Sequence, residues 1–139
     1  MRDLFGDADI VVVDCKTHDK IMAYVLSLSH ILAMSLIFSM DSETFKKAKK
    51  LSGTTFKLQI FSAATSLSET HELIISAFKL NPYALQTLSS YVKRLNEIIK
   101  VIKRGDADKL KKILKICRAK AGPKLYEEAY RFLERRSFI

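Results

Sequence analysis

Apolar positions recur at intervals of three and four in nearly every segment of the 139-residue chain, the spacing of helix faces rather than of strands. The exception comes first. Ala8-Asp9-Ile10-Val11-Val12-Val13-Asp14 is short, β-branched and bounded by acids, a pattern that predicts one buried strand. A single strand cannot make a sheet, so its partners are expected outside this chain, or it packs as an extended arm.

Thr17 is the expected N-cap of a helix opening at His18 and Asp19, with the acid at the positive end of the helix dipole. No residue from Ile21 to Met40 is charged. About 20 such residues are just long enough to span a bilayer. Ser27, Ser29, Ser35 and Ser39 dilute the hydrophobicity, however, and His30 places an ionisable ring near the middle, where lipid makes it costly. The simpler expectation is a central helix buried by its own domain and by a partner subunit.

Asp41 or Ser42 is placed to cap a short helix with a basic face, Phe45 to Leu51, which Gly53 stops. Thr54 or Thr55 opens a helix through Phe56, Ile60, Ala63 and Leu67, and Glu69 to Leu80 makes another. Asn81-Pro82 is the clearest boundary, an Asn N-cap followed by proline at the first helical position. The helix it starts carries Leu85, Leu88, Val92, Leu95, Ile99 and Ile102, alternating by three and four as a packed helical seam does. Gly105 ends that helix. Asp106 caps the next, whose buried side is Leu110, Ile113, Leu114, Cys117 and Ala121. Gly122-Pro123 breaks the chain again before a last amphipathic helix with Leu125, Tyr126, Tyr130 and Phe132. The expected fold class is all-α, a multi-helix domain around one long buried central helix, preceded by one short N-terminal β-strand. Residues 1–16 form the strand and linker, and 17–139 the helical body.

Composition agrees with this reading. Four Gly and two Pro are too few for the many tight turns of a β-sandwich, and 48% hydrophobic residues argue against disorder. The net charge of +9 raises the question of nucleic acid. Lys93, Lys100 and Arg104 are expected opposite the seam, and Lys111, Lys112, Lys115 and Arg118 on the outside of the next helix, the ordinary polar side of amphipathic helices. No aromatic residues alternate with them as a stacking platform requires. Neither nucleic acid nor membrane is therefore an expected partner. Cys15 and Cys117, with no secretory signal ahead of them, fit a reducing cytoplasm and read as small apolar fillers.

Catalytic motifs are missing: there is no Gly-x-Gly-x-x-Gly, Walker A or Gly-x-Ser-x-Gly. His18 and His30 lie roughly 18 Å apart along a helix, so no metal site is expected. His30 stands alone on an apolar helix, where an imidazole needs a polar partner. Without further information it reads as a satisfied core histidine.

The segment His18-Asp19-Lys20-Ile21-Met22-Ala23-Tyr24-Val25-Leu26-Ser27-Leu28-Ser29-His30-Ile31-Leu32-Ala33 resembles the start of the C-terminal domain of prephenate and arogenate dehydrogenases. There a His-Asp pair opens a long helix, an Ala follows, and Leu-x-His with trailing apolar residues ends the motif. Gly53 with Phe56-Lys57, Asn81-Pro82 and Gly105-Asp106 extend the likeness more loosely. The resemblance implies an all-helical, intertwined homodimer that closes the active-site cleft of an NAD- or NADP-dependent enzyme. That enzyme oxidatively decarboxylates prephenate or arogenate in tyrosine synthesis. It further implies that the cofactor and the principal catalytic His belong to an N-terminal nucleotide-binding domain, of which the strand Ala8 to Asp14 is the stub. This chain alone then binds no cofactor and is inactive. By the resemblance His30 faces the substrate pocket, Lys57 meets a substrate carboxylate as a point charge, and His18 and Asp19 organise the domain junction. The chain departs from many relatives at Ser29, where they have Pro, and at Lys57, where they have Arg. Phe61 and Thr65 occupy the positions where some carry a further Arg. The alternative reading is a stand-alone helical homodimer that binds an aromatic metabolite or a protein partner without chemistry.

Overall fold

The computed structural model describes residues 11–135, and every regular element among them is helical. In chain order these are α1 (Cys15–Phe38), α2 (Ser42–Leu51), α3 (Thr54–Leu67), α4 (His71–Lys79), α5 (Ala84–Lys103) and α6 (Ala107–Arg135). The expected strand is not supported. Ala8 to Ile10 lie outside the described residues, and Val11 to Asp14 are exposed and take part in no ladder. A strand needs a neighbour for its backbone groups, and no described segment offers one.

Asp14 takes the role expected of Thr17. Its extended backbone (φ −69°, ψ 157°) starts α1 at Cys15, and its carboxylate accepts from Thr17 N–H at 3.0 Å and Thr17 Oγ1 at 2.6 Å. Asp41 caps α2 in the same manner, accepting from Thr44 N–H and Thr44 Oγ1, both at 2.8 Å. The Thr17 hydroxyl and then its amide hold the Asp14 carboxyl below its usual range, and the Thr44 amide and then its hydroxyl do the same for Asp41. Depressed acids favour the fold above the ordinary carboxylate pKa, and that support is lost as pH falls through the lower folded value. The melting temperature should therefore drop below about pH 4. Asp14→Asn with Asp41→Asn, which keeps two good caps, should flatten the drop when followed by circular dichroism.

α1 is the central element, and its middle turn, Ala23–Leu28, is π-helical. One face of it is buried at Ala23, Ser27, His30 and Ala33. Ala23 and Ser27 are small, so α4 and α5 pack against this turn, and Ala84 of α5 is likewise fully buried. The Ser27 hydroxyl donates to the Ala77 carbonyl of α4 at 2.8 Å, which satisfies a polar group with no access to water. The second half of α1 packs on α3, where Ala33, Ile60 and Ala63 are buried. Burial of α1 is one-sided: Tyr24, Val25 and Leu32 are exposed, and Phe38 is 93% exposed. By length and composition α1 could also cross a membrane, a test that the core helix of a helical domain equally passes.

Gly53, expected to stop α2, instead sits at the N-cap of α3 while Ser52 ends α2 in an extended conformation. Asn81 accepts from Tyr83 N–H at 2.9 Å and donates from Nδ2 to the Asp19 carbonyl at 2.7 Å, which ties the entry to α5 to the start of α1. Gly105 ends α5 at φ 65° and Gly122 kinks α6 at φ 72°. Both are left-handed conformations that glycine reaches without a side-chain clash.

The expected seam of α5 is not packed within the protomer. Leu85 is 74% exposed, and Val92, Leu95, Ile99 and Ile102 are also exposed, while the buried residues of the helix are Ala84, Thr87 and Val101. Lys93 and Lys100 flank the seam in one open groove with Leu85, Leu88 and Val92, instead of standing opposite it. α6 beyond its first turns is similarly bare, with Leu114, Leu125, Tyr130 and Phe132 exposed. Cys15 and Cys117 are exposed and do not fill a core.

Candidate functional site

His30 is held on the buried face of α1, just after the π-helical turn, with 2% of its surface exposed. Its Nδ1 donates to the Leu26 carbonyl, one turn back, at 2.7 Å, and its Nε2 lies 2.9 Å from Oε2 of Glu69. A carbonyl only accepts, so Nδ1 carries a proton. Nε2 faces a carboxylate oxygen, so a second proton lies between them. The ring is thereby fixed in orientation, and both of its nitrogens are satisfied from within the fold. Glu69 sits in the short connection between α3 and α4 with its side chain 38% exposed. It is the partner that sequence reading did not identify: it appeared only as the first residue of a helix, 39 positions away from His30, and nothing local links the two.

Lys57 is half-buried in the first turn of α3. From there to Leu67, next to the connection that carries Glu69, the helix rises roughly 15 Å. His30 and Lys57 therefore do not meet at one point, and neither lines the groove of about 740 Å³ that runs between α1 and α3. That groove is walled by Ser29, Leu36, Leu58 and Ser62, with Tyr91 of α5 at its side. His18 and Asp19 form an exposed pair at 3.2 Å in the second turn of α1. They border a cleft of about 210 Å³ with Leu73 and Asn81, well removed from His30 along the helix. Among the described residues no group of three or more His, Cys, Asp or Glu could hold a metal.

Two candidate surfaces result. One is an enclosed imidazole hydrogen-bonded at both nitrogens, and the other is a large apolar face of α5 and α6 left open in the single chain. A family model described as prephenate dehydrogenase, dimerization domain, matches residues 14–116, from the cap of α1 into the first half of α6. No curated protein and no solved structure matches the chain. The match covers most of the helical body, including His18-Asp19 and Asn81-Pro82, and the chain belongs to the family of prephenate dehydrogenase dimerisation domains.

Proposed function

We propose that this chain is the dimerisation and substrate-closing domain of a prephenate dehydrogenase-like enzyme, and that it pairs two copies through the exposed seam of α5 and the bare face of α6. The observation that carries this reading is the seam itself. Leu85, Leu88, Val92, Leu95, Ile99 and Ile102 keep the three-and-four spacing of a packed helix pair, yet most of them are exposed in the protomer. Contiguous apolar surface of this extent marks an interaction site. From Leu85 to Ile102 the seam runs about 25 Å along the helix, long enough for the apolar contact of an obligate pair. A second copy in a two-fold arrangement supplies the same surface in return.

Sedimentation or light scattering at micromolar concentration tests the reading directly: a dimer is expected, and a stable monomer overturns it. His30 and Lys57 are assigned to the substrate side and His18 with Asp19 to the junction with a nucleotide-binding domain, on the strength of their positions in the family motif. The NAD or NADP, and the hydride chemistry it supplies, are assigned to that other domain. No Gly-rich turn opens a helix here to cradle a pyrophosphate. Titration of this chain with NAD or NADP is expected to show no saturable binding, and prephenate is expected to survive incubation with it. A measurable dehydrogenase rate from pure protein would refute the division of labour.

A further inference from the structure

The contact between His30 and Glu69 is placed where a ligand's carboxylate would have to go if His30 faces substrate. We propose that Glu69 is an internal gate on His30: its carboxylate occupies the Nε2 position that an anionic ligand requires, and such a ligand engages His30 only when Glu69 moves out. The proposal rests on the reading of His30 as a substrate-facing residue and adds the regulation of that site.

Three observations carry it. The first is the state of the ring. Nδ1 is committed to the Leu26 carbonyl at 2.7 Å, which leaves Nε2 as the single nitrogen available to a ligand, and Nε2 is 2.9 Å from a carboxylate oxygen. A proton donor at a fixed position that already binds one carboxylate has the chemistry to bind another. The second is the asymmetry of burial. The His30 side chain is almost enclosed, whereas the Glu69 side chain is partly open to solvent, so the acid can leave outward and regain hydration without opening the core. The third is the placement of Glu69 between two self-contained helix ends. The Ser68 hydroxyl donates to the Thr65 carbonyl at 2.7 Å and closes α3, and Thr70 Oγ1 accepts from Leu73 N–H at 3.3 Å and opens α4. The hydrogen bonds that finish both helices therefore do not involve the Glu69 side chain, and it can swing away while they persist.

A gate of this kind lowers apparent affinity by the fraction of time it is open. Removing it should raise affinity, the opposite of what loss of a binding residue does. The test uses the full 139-residue chain and 4-hydroxyphenylpyruvate as the probe, an aromatic keto acid with one carboxylate. Calorimetry gives the affinity, and the ring-nitrogen NMR signals of His30 report where the probe sits. Glu69→Ala, which leaves no side-chain acceptor against Nε2, is expected to bind at least about tenfold more tightly than the unaltered chain, a change of ~1.4 kcal/mol, with a shift of the Nε2 signal. The gain should vanish in Glu69→Ala combined with His30→Asn. Glu69→Asp, which retracts the carboxylate by one methylene and keeps the charge, should fall between, and it serves in place of Glu69→Ala if that variant does not fold. Equal or weaker binding by both Glu69 variants, with a His30 shift on probe addition in every chain that retains His30, overturns the gate and leaves the reading of His30 intact. Absence of any His30 shift at millimolar probe in all of them overturns both.

Discussion

Leu85→Glu together with Val92→Glu is expected to turn the dimer into a monomer without unfolding the protomer. Both residues are exposed on the open seam of α5, Leu85 by 74%, whereas Leu88 between them is half-buried one turn beyond Ala84. In the single chain the substitutions therefore place carboxylates in water, and the helix should tolerate them. In a two-fold pair each seam meets its own copy, so four carboxylates are brought together and at least four apolar side chains are lost. Each buried Leu or Val contributes about 1.5–3 kcal/mol, and an unpaired charge held away from water costs several more. A conservative total of roughly 6 kcal/mol weakens the dimer about ten-thousandfold. Sedimentation velocity across a concentration series reads this out, with Lys46→Glu on the exposed face of α2 as the charge-changing control. An unaltered dimer would mean that the copies meet elsewhere. In an intact enzyme the same variant should lose quaternary structure before it loses secondary structure.

The second large effect is expected at His30. Replacement by Asn removes the ring that links the Leu26 carbonyl to Glu69, and the shorter amide cannot reach both. Loss of a charge-assisted hydrogen bond amounts to about 2 kcal/mol, limited by the freedom of the partly exposed Glu69 to return to water. For a chain of this length that corresponds to a fall in melting temperature of roughly 5–10 °C. The loss should be shared by Glu69→Ala, because both variants break one contact, and the double variant should lose little more than either alone. A melting temperature within a degree of the unaltered chain would show that the pair contributes nothing to the fold. Kinetics then separate a second role from the first. In an enzyme that contains this domain, a substrate-facing His30 predicts a drop in kcat/KM of about ten- to a hundredfold in the surviving His30→Asn protein, beyond anything the fraction folded explains. A ring that only braces the fold predicts none.

Much of the fold was legible in the residues because the signals that start and stop helices act within a single turn. Asp41, Asp106, Gly105 and Gly122 all mark ends or kinks where their side-chain chemistry or backbone freedom predicts them, whereas Asn81-Pro82 forms a turn ahead of the helix and Tyr83, not Asn81, stands at the N-cap of α5. The His-Asp helix with its Leu-x-His likewise sufficed to indicate the family, since the motif lies within one helix. At α1 a local signal was present but misread: Thr17 is a good cap, yet Asp14 three residues earlier is also one and makes the better-placed bonds.

What sequence could not decide was which neighbour each surface meets. α5 has two faces at helical spacing, and the larger side chains from Leu85 to Ile102 suggested the inner one. The protomer buries Ala84 and Thr87 instead, because Ala23 and Ser27 make that side of α1 thin enough for close approach. The bulky face is left for contacts beyond the chain. Val11 to Asp14 had the composition of a strand, but a strand exists only with a hydrogen-bonded neighbour. His30 predicted that it needed a polar partner without revealing that Glu69, 39 residues on, supplies it. Caps and breaks depend on bonds between residues a turn apart, which the order of residues determines. The facing of α5, the fate of the strand and the partner of His30 depend on groups brought together from distant positions, and only the packing of the helices decides those.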